Sequence, residues 1–195
     1  QIEQLMDIYI ENKSTDVLSA LLLCAESFPY LFLHSFQQLA EMLKQEDDAA
    51  VTATLKILLS VGRSLEEQNQ DLALEIEPRL LELAEKGTRK EAKYAARAIS
   101  KIYGTPDVVY NKLYSNLLGC LEYNDKTPTI LSSLSEIALH DTDTFSTDAS
   151  QIVDFIIDEV ILKIRTDEDT SSKIELNLST QCRMLGCGVL SNYLS

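Results

Sequence analysis

Side chains able to act as nucleophile, base or metal ligand are few and scattered along the chain. The imidazoles are His34 and His140, and the thiols are Cys24, Cys120, Cys182 and Cys187. A nucleophile needs a base within hydrogen-bond reach and a third group to orient that base. Neither histidine shows such a set. His34 lies in an apolar helical pattern and reads as an ordinary, partly buried side chain. His140 falls at the end of a helical stretch, where a positive ring suits the helix dipole. The thiols are too far apart for a zinc knuckle, and two histidines cannot complete one. Three of the four lie in apolar helical patterns, where a free thiol serves as a small hydrophobe. Unpaired cysteines of this kind fit a reducing, intracellular compartment.

Asp141-x-Asp143-x-Phe145-Ser146 begins like a calcium loop. That loop needs an oxygen ligand at its fifth position, Gly at its sixth and Glu at its twelfth. Phe145, Ser146 and Ile152 stand there instead, so the segment reads as a solvated loop. The acidic run Asp167-Glu168-Asp169 reads the same way. The chain has no phosphate-cradling glycine loop, nucleophile elbow or H-E-x-x-H. The expectation is a protein that is not an enzyme, with no catalytic residue, resident metal or cofactor.

The chemistry that does stand out is basic. Lys86, Arg89, Lys90, Lys93, Arg97 and Lys101 crowd one short stretch of a chain with only 17 Lys and Arg. An even spread would put about one or two there. Arg89, Lys93, Arg97 and Lys101 are each four apart, so on a helix they form a slowly drifting stripe. Ala92, Ala95, Ala96 and Ile99 occupy the opposite face, and Tyr94 lies beside the stripe. Two readings stand. The stripe is a solvated face that pairs with acids on neighbouring helices, or it is a surface for an acidic, amphipathic partner segment. In the second, Arg clamps carboxylates and Tyr supplies apolar area. Convergent Lys and Arg would also suit an inositol phosphate. The formal net charge of -14 argues against direct nucleic-acid binding by the chain as a whole.

The elements that must carry this stripe are helices. The chain has 195 residues, 45% of them hydrophobic, with only 6 Gly and 4 Pro. That is too little punctuation for a sandwich or barrel of short strands. Apolar residues recur at helical spacing nearly throughout. No apolar run reaches the length of a membrane span. Gly87-Thr88 ends one helix and caps the next, and Thr88-x-x-Glu91 is a capping box. Gly104-Thr105-Pro106 and Thr127-Pro128 read as the same device, and Asp47 or Asp48 as a cap. Polar interruptions at Arg63–Gln70, His140–Ser150 and Thr166–Ser172 read as loops.

These signals sort the helices into pairs: Thr15–Ser27 with Tyr30–Gln45, Asp48–Arg63 with Asp71–Lys86, Thr88–Tyr103 with Thr105–Tyr123, and Thr127–His140 with Thr147–Arg165. Successive pairs start about 30–40 residues apart, near the HEAT and armadillo period. Such pairs bury their apolar faces only by stacking on neighbours. The fold class expected is all-α, a HEAT-repeat-type α-solenoid or alpha-alpha superhelix. Residues 1–195 are expected to form a single run of about four to five helix pairs, open at both ends and cut from a longer solenoid. Phe28-Pro29-Tyr30-Leu31-Phe32 reads as the inner corner of a repeat, or as a small docking pocket.

The stretch from Ala84 to Ile99 resembles the KGT-x-K-x-AKYA segment of the Precocious Dissociation of Sisters family of cohesin regulators. The matching positions are Lys86, Gly87, Thr88, Lys90, Ala92, Lys93, Tyr94 and Ala95. The resemblance implies HEAT repeats in a nuclear, chromatin-associated scaffold. It further implies binding to the kleisin subunit of cohesin, and to other cohesin regulators, in the maintenance and release of sister-chromatid cohesion. The partner-binding residues expected are Arg89, Lys90, Lys93, Tyr94, Arg97 and Lys101. The rival reading is a generic HEAT-repeat adaptor for transport or trafficking complexes, with the stripe merely solvated.

Overall fold

The computed structural model describes residues 1–162 and 173–194. The acidic run Asp167-Glu168-Asp169 and the loop expected over Thr166–Ser172 lie outside the described residues. The helices are α1 (Ile2–Asn12), α2 (Thr15–Ser27), α3 (Phe36–Leu43), α4 (Asp48–Gln68), α5 (Gln70–Lys86), α6 (Arg89–Tyr103), α7 (Val108–Gly119), α8 (Thr127–His140), α9 (Thr142–Thr147), α10 (Ala149–Asp154) and α11 (Lys173–Leu194). There is no strand among the described residues. The fold is an all-α solenoid. In one layer α2, α4, α6, α8 and α11 pack side by side in that order, and in the other α3, α5 and α7 do the same.

Several boundaries differ from the sequence expectation. Helix α1 was not foreseen; Met6 and Tyr9 on it are fully buried. The expected loop over Arg63–Gln70 is helix apart from Asn69, because Leu65 inside the polar run is buried and holds the last turns of α4 down. Helix α7 starts at Val108, capped by Asp107 rather than Thr105, with Asp107 Oδ1 accepting from Val109 N at 2.8 Å. The expected loop after His140 contains α9, capped by Asp141 through a bond from Thr144 N. The last expected helix starts at Ala149 and winds as a π-helix over Phe155–Leu162. The segment Tyr30–Gln45 splits into a 3₁₀ turn, Pro29–Phe32, and α3. Of that corner only Phe32 is buried, while Phe28, Tyr30 and Leu31 face solvent. His34 is exposed rather than partly buried.

Helix α6 is set deep in this stack and touches α4, α5, α7 and α8. Half of its buried residues are alanines, beside Glu91, Ile99, Ile102 and Tyr103, and the small side chains let neighbouring helices come close. On α4, Gly62 takes this to the limit: a Cβ there would sit 2.9 Å from Ile102 Cγ1. Gly62→Val therefore forces α4 and α6 apart, and urea unfolding is expected to show a loss of roughly 1–3 kcal/mol from overpacking.

The entry to α6 is fixed from three sides. The capping box is formed: Thr88 N donates to Glu91 Oε2 at 2.7 Å and Glu91 N donates to Thr88 Oγ1 at 3.4 Å. The carbonyls at the end of α5, which have no partner within their own helix, are met from α8. Thr129 Oγ1 donates to Gly87 O at 2.8 Å and Ser133 Oγ donates to Ala84 O at 2.7 Å. The α5–α6 corner and α8 are thereby locked together.

Three tyrosines make the fold sensitive to alkali. Burial, and then the hydrogen bond to Asp47, push the Tyr9 phenol up to about 12. Burial, and then the Asp148 charge, bring Tyr114 up to about 12. Burial raises Tyr110 as well. A phenol whose pKa folding raises is held protonated, so its contribution is whole below the unfolded value near 10. That contribution is lost as pH climbs from about 10 towards 12. A melting temperature that falls across this window is the expected result, and Tyr9→Phe is expected to make the fall shallower.

Candidate functional site

The basic stripe of α6 lies in the furrow between α4 and α8. A groove of about 920 Å³ opens at its N-terminal half. The apolar part of its lining comes from Leu18 and Leu22 on α2, Ala49 and Ala53 on α4, and Leu185 on α11. Lys56, Arg89, Lys90 and Lys93 supply positive charge at the same groove, against Asp48 and Glu136. A second groove, of about 720 Å³, opens at the C-terminal half of α6 and is flanked by Arg63, Arg97, Lys101 and His140.

The six expected residues fall into different situations. Lys93 and Arg97 are tied down. Lys93 Nζ lies 3.4 Å from Glu136 Oε1, and Arg97 Nε lies 3.4 Å from Glu136 Oε2. Glu136 is on α8 and its side chain is only 6% exposed. His140, one turn further along α8, brings Nε2 to 3.4 Å from the same Oε2. That oxygen accepts no hydrogen bond of good geometry. A carboxylate taken this far from water needs its cations. The stripe is therefore partly what one reading expected, a face paired with a neighbouring acid.

The remaining residues keep more freedom. Arg89 Nη1 donates to Gln181 Oε1 on α11 at 3.3 Å. Tyr94 is half-buried against the core, and Lys56 Nζ stands 5.4 Å from its ring centroid, a cation–π distance. Lys90 and Lys101 are exposed, and neither forms an ion pair with any described residue. These are the cations with charge to spare. The cations at the two ends of the stripe form no ion pair with a described residue, while those at its middle are anchored on a buried acid, so the ends and the middle are energetically unlike.

Sequence reasoning missed Lys56 and Glu136. Lys56 is the lone cation in the apolar first half of α4, and Glu136 the lone acid within α8. An isolated charge inside an apolar helical run is the signal that could have found them. Among the described residues, no three His, Cys, Asp or Glu side chains converge to hold a metal ion. No described helix is long and apolar enough to cross a membrane.

A family model described as "Sister chromatid cohesion protein PDS5 protein" matches residues 3–195. An Arabidopsis thaliana relative, "Sister chromatid cohesion protein PDS5 homolog A", is 32% identical over 143 residues, covering 72% of this chain and 9% of its own. The human protein of the same description is 24% identical over 143 residues, covering 72% of this chain and 11% of its own. A Gallus gallus "PDS5 homolog B" is also 24% identical, with 10% of its length covered. The chain thus spans about a tenth of the length of the curated relatives it matches. With the family model running over nearly every residue, and over the whole of the α6 stripe, the chain belongs to the PDS5 family of sister chromatid cohesion proteins.

Proposed function

We propose that this part of the protein is a docking scaffold in sister-chromatid cohesion, nuclear and chromatin-associated, which holds a segment of the kleisin subunit of cohesin. It runs no reaction of its own. The furrow between α4 and α8 is the seat, with Lys56, Arg89, Lys90, Lys93, Tyr94 and Arg97 as the contacting residues. The segment suited to it is extended or helical, with apolar side chains for the Leu18–Leu22–Leu185 wall and acidic ones for the cations. Through this hold the protein would help to decide whether cohesion is maintained or released, alone or with other cohesin regulators.

One observation carries the reading. In a chain of net charge -14, four cations are gathered beside the larger groove, and one of them, Lys93, is fixed in place by a buried acid. Preorganised charge beside an apolar wall is what an acidic, amphipathic partner needs. The test uses the cations that hold nothing else in the fold by an ion pair. Lys56→Glu together with Lys90→Glu is expected to weaken binding of a labelled kleisin segment by about tenfold or more at physiological salt, with the fold kept and the melting temperature lowered only by the loss of the Lys56–Tyr94 contact. Unchanged affinity in the folded double variant would place the partner elsewhere.

A further inference from the structure

The groove at the C-terminal half of α6 differs in kind from the one just described. Its walls come from the last turns of α4, the last turn of α6, the connection Gly104–Pro106 and His140. Among the described residues no carboxylate lines it, although Asp and Glu outnumber Lys and Arg by 31 to 17 in the chain. Three permanent cations do: Arg63, Arg97 and Lys101. Lys101 and Arg63 are brought together by Gly62, since a Cβ on Gly62 would be 3.5 Å from Lys101 Cβ. The lining also carries the hydroxyls of Ser64, Ser100 and Thr105, all half-buried. None of these hydroxyls makes a side-chain hydrogen bond to a described residue. The buried hydroxyls of Thr54 and Ser132, by contrast, bond Ala50 O and Pro128 O. Unused neutral donors among cations suit a ligand with many acceptor oxygens.

Charge decides which ligand. Arg63 leans on Glu67, with 3.8 Å between Nε and Oε1, and Arg97 is held by Glu136. Glu136 is shared with Lys93 and so balances Arg97 only in part, the exposed Arg63–Glu67 pair is screened by water, and Lys101 is left whole. A groove with about two net positive charges fits a single phosphate monoester, which carries about -1.5 to -2. It does not fit a polyphosphate of many charges. A carboxylate would use fewer of the donors present, since a phosphate offers three strong acceptor oxygens.

We propose that the groove lined by Arg63, Ser100, Lys101 and Thr105 is a recognition site for a phosphorylated serine or threonine in a partner segment. Its register rests on the docking reading above, in which that segment runs along α6. From Lys93 to Lys101 the helix rises about 12 Å. An extended chain covers that in about four residues. In an extended segment the phosphorylated residue therefore lies about four positions from the residue held at Lys93, and modification of the partner tightens the hold instead of breaking it.

The experiment compares three labelled nonapeptide pools, degenerate except for a central phosphoserine, serine or aspartate, by fluorescence anisotropy at physiological salt. The readout is the phosphate preference, the ratio of affinities for the phosphoserine and serine pools. An expected preference of about tenfold should fall to near unity in Lys101→Ala and drop by about threefold in Ser100→Ala. Arg97 is left alone, since its loss would disturb Glu136. Equal binding of the aspartate and phosphoserine pools would overturn the proposal, as would a preference that survives both Lys101→Ala and Arg63→Ala. Lys101-dependent binding of inositol hexakisphosphate about tenfold tighter than the phosphoserine pool would also overturn it, in favour of a free polyphosphate. Docking is read separately, as the effect of Lys90→Glu on the serine pool and on the kleisin segment. A preference without that effect leaves this site standing and removes the docking reading.

Discussion

Reversing both Lys93 and Arg97 to glutamate should lower the melting temperature by roughly 6–12 °C, whatever it does to partner binding. The reason is Glu136. Its carboxylate is nearly out of water, and the two cations on α6 are what balance it. Breaking a buried pair from one side costs about 3–5 kcal/mol because an uncompensated charge is left behind. The low end, roughly 3 kcal/mol, applies because Lys93 and Arg97 keep 50% and 37% of their side chains exposed. Two new carboxylates beside Glu136 add repulsion. Replacing Glu136 by Leu in the reversed chain should recover most of the loss, since the acid that needed neutralising is gone. Thermal melts of the double and triple variants check this. Equal melting temperatures for the reversed chain and the parent would show that Glu136 is solvated.

The second large effect is expected far from the stripe. Phe145 on α9 is fully buried, and its ring centroid lies 5.0 Å from that of Tyr193 on α11. Its carbonyl accepts the Tyr114 hydroxyl at 3.0 Å. Phe145→Ala opens a cavity where α9 meets α11 and should cost about 3–5 kcal/mol. Helix α11 also packs along α8 and along the π-helical turns, where Gly186 lets it approach Ile156. Loss of the Phe145 ring should therefore speed amide exchange in α11 before it does so in α4 or α6. Uniform loss of protection across the chain would instead show that the stack opens as one unit. The consequence for the site is indirect: α11 contributes Leu185 to the larger groove and Gln181 to Arg89.

Much of this was legible in the residues, and the exceptions have physical causes. The helical stripes of α2, α4, α5, α6 and α8 have long apolar periods, so their existence was plain. The Thr88–Glu91 capping box was legible because both halves of it are side chains with fixed spacing. Boundaries failed where tertiary packing overrode local signals. Leu65 carries α4 through a polar run, and Phe145 turns what looks like a solvated loop into a short helix anchored by one buried side chain. Asp107 outcompeted Thr105 as a cap for α7. Helix α1 went unread although Ile2, Met6 and Tyr9 share one face.

At the site, the stripe itself was visible because four-residue spacing of cations is a local pattern. Its energetics were not. Whether Lys93 is a free cation or the partner of a buried acid depends on α8, more than forty residues on, and on how α8 is seated against the end of α5. The distal groove was invisible for the same reason. Arg63 and Lys101 are brought together by the glycine at 62, and no spacing along the chain announces that meeting.

The central claim is that partner docking occurs along the furrow between α4 and α8, on the α6 stripe. Site-specific photo-crosslinking tests it most directly, with a photoreactive phenylalanine analogue placed at Lys90 in one variant and at Leu74 in another. Both positions are exposed; Leu74 is on α5, in the other helical layer. In the assembled cohesin complex, the account predicts that position 90 crosslinks to the kleisin and position 74 does not. Crosslinking from 74 with none from 90 would contradict it.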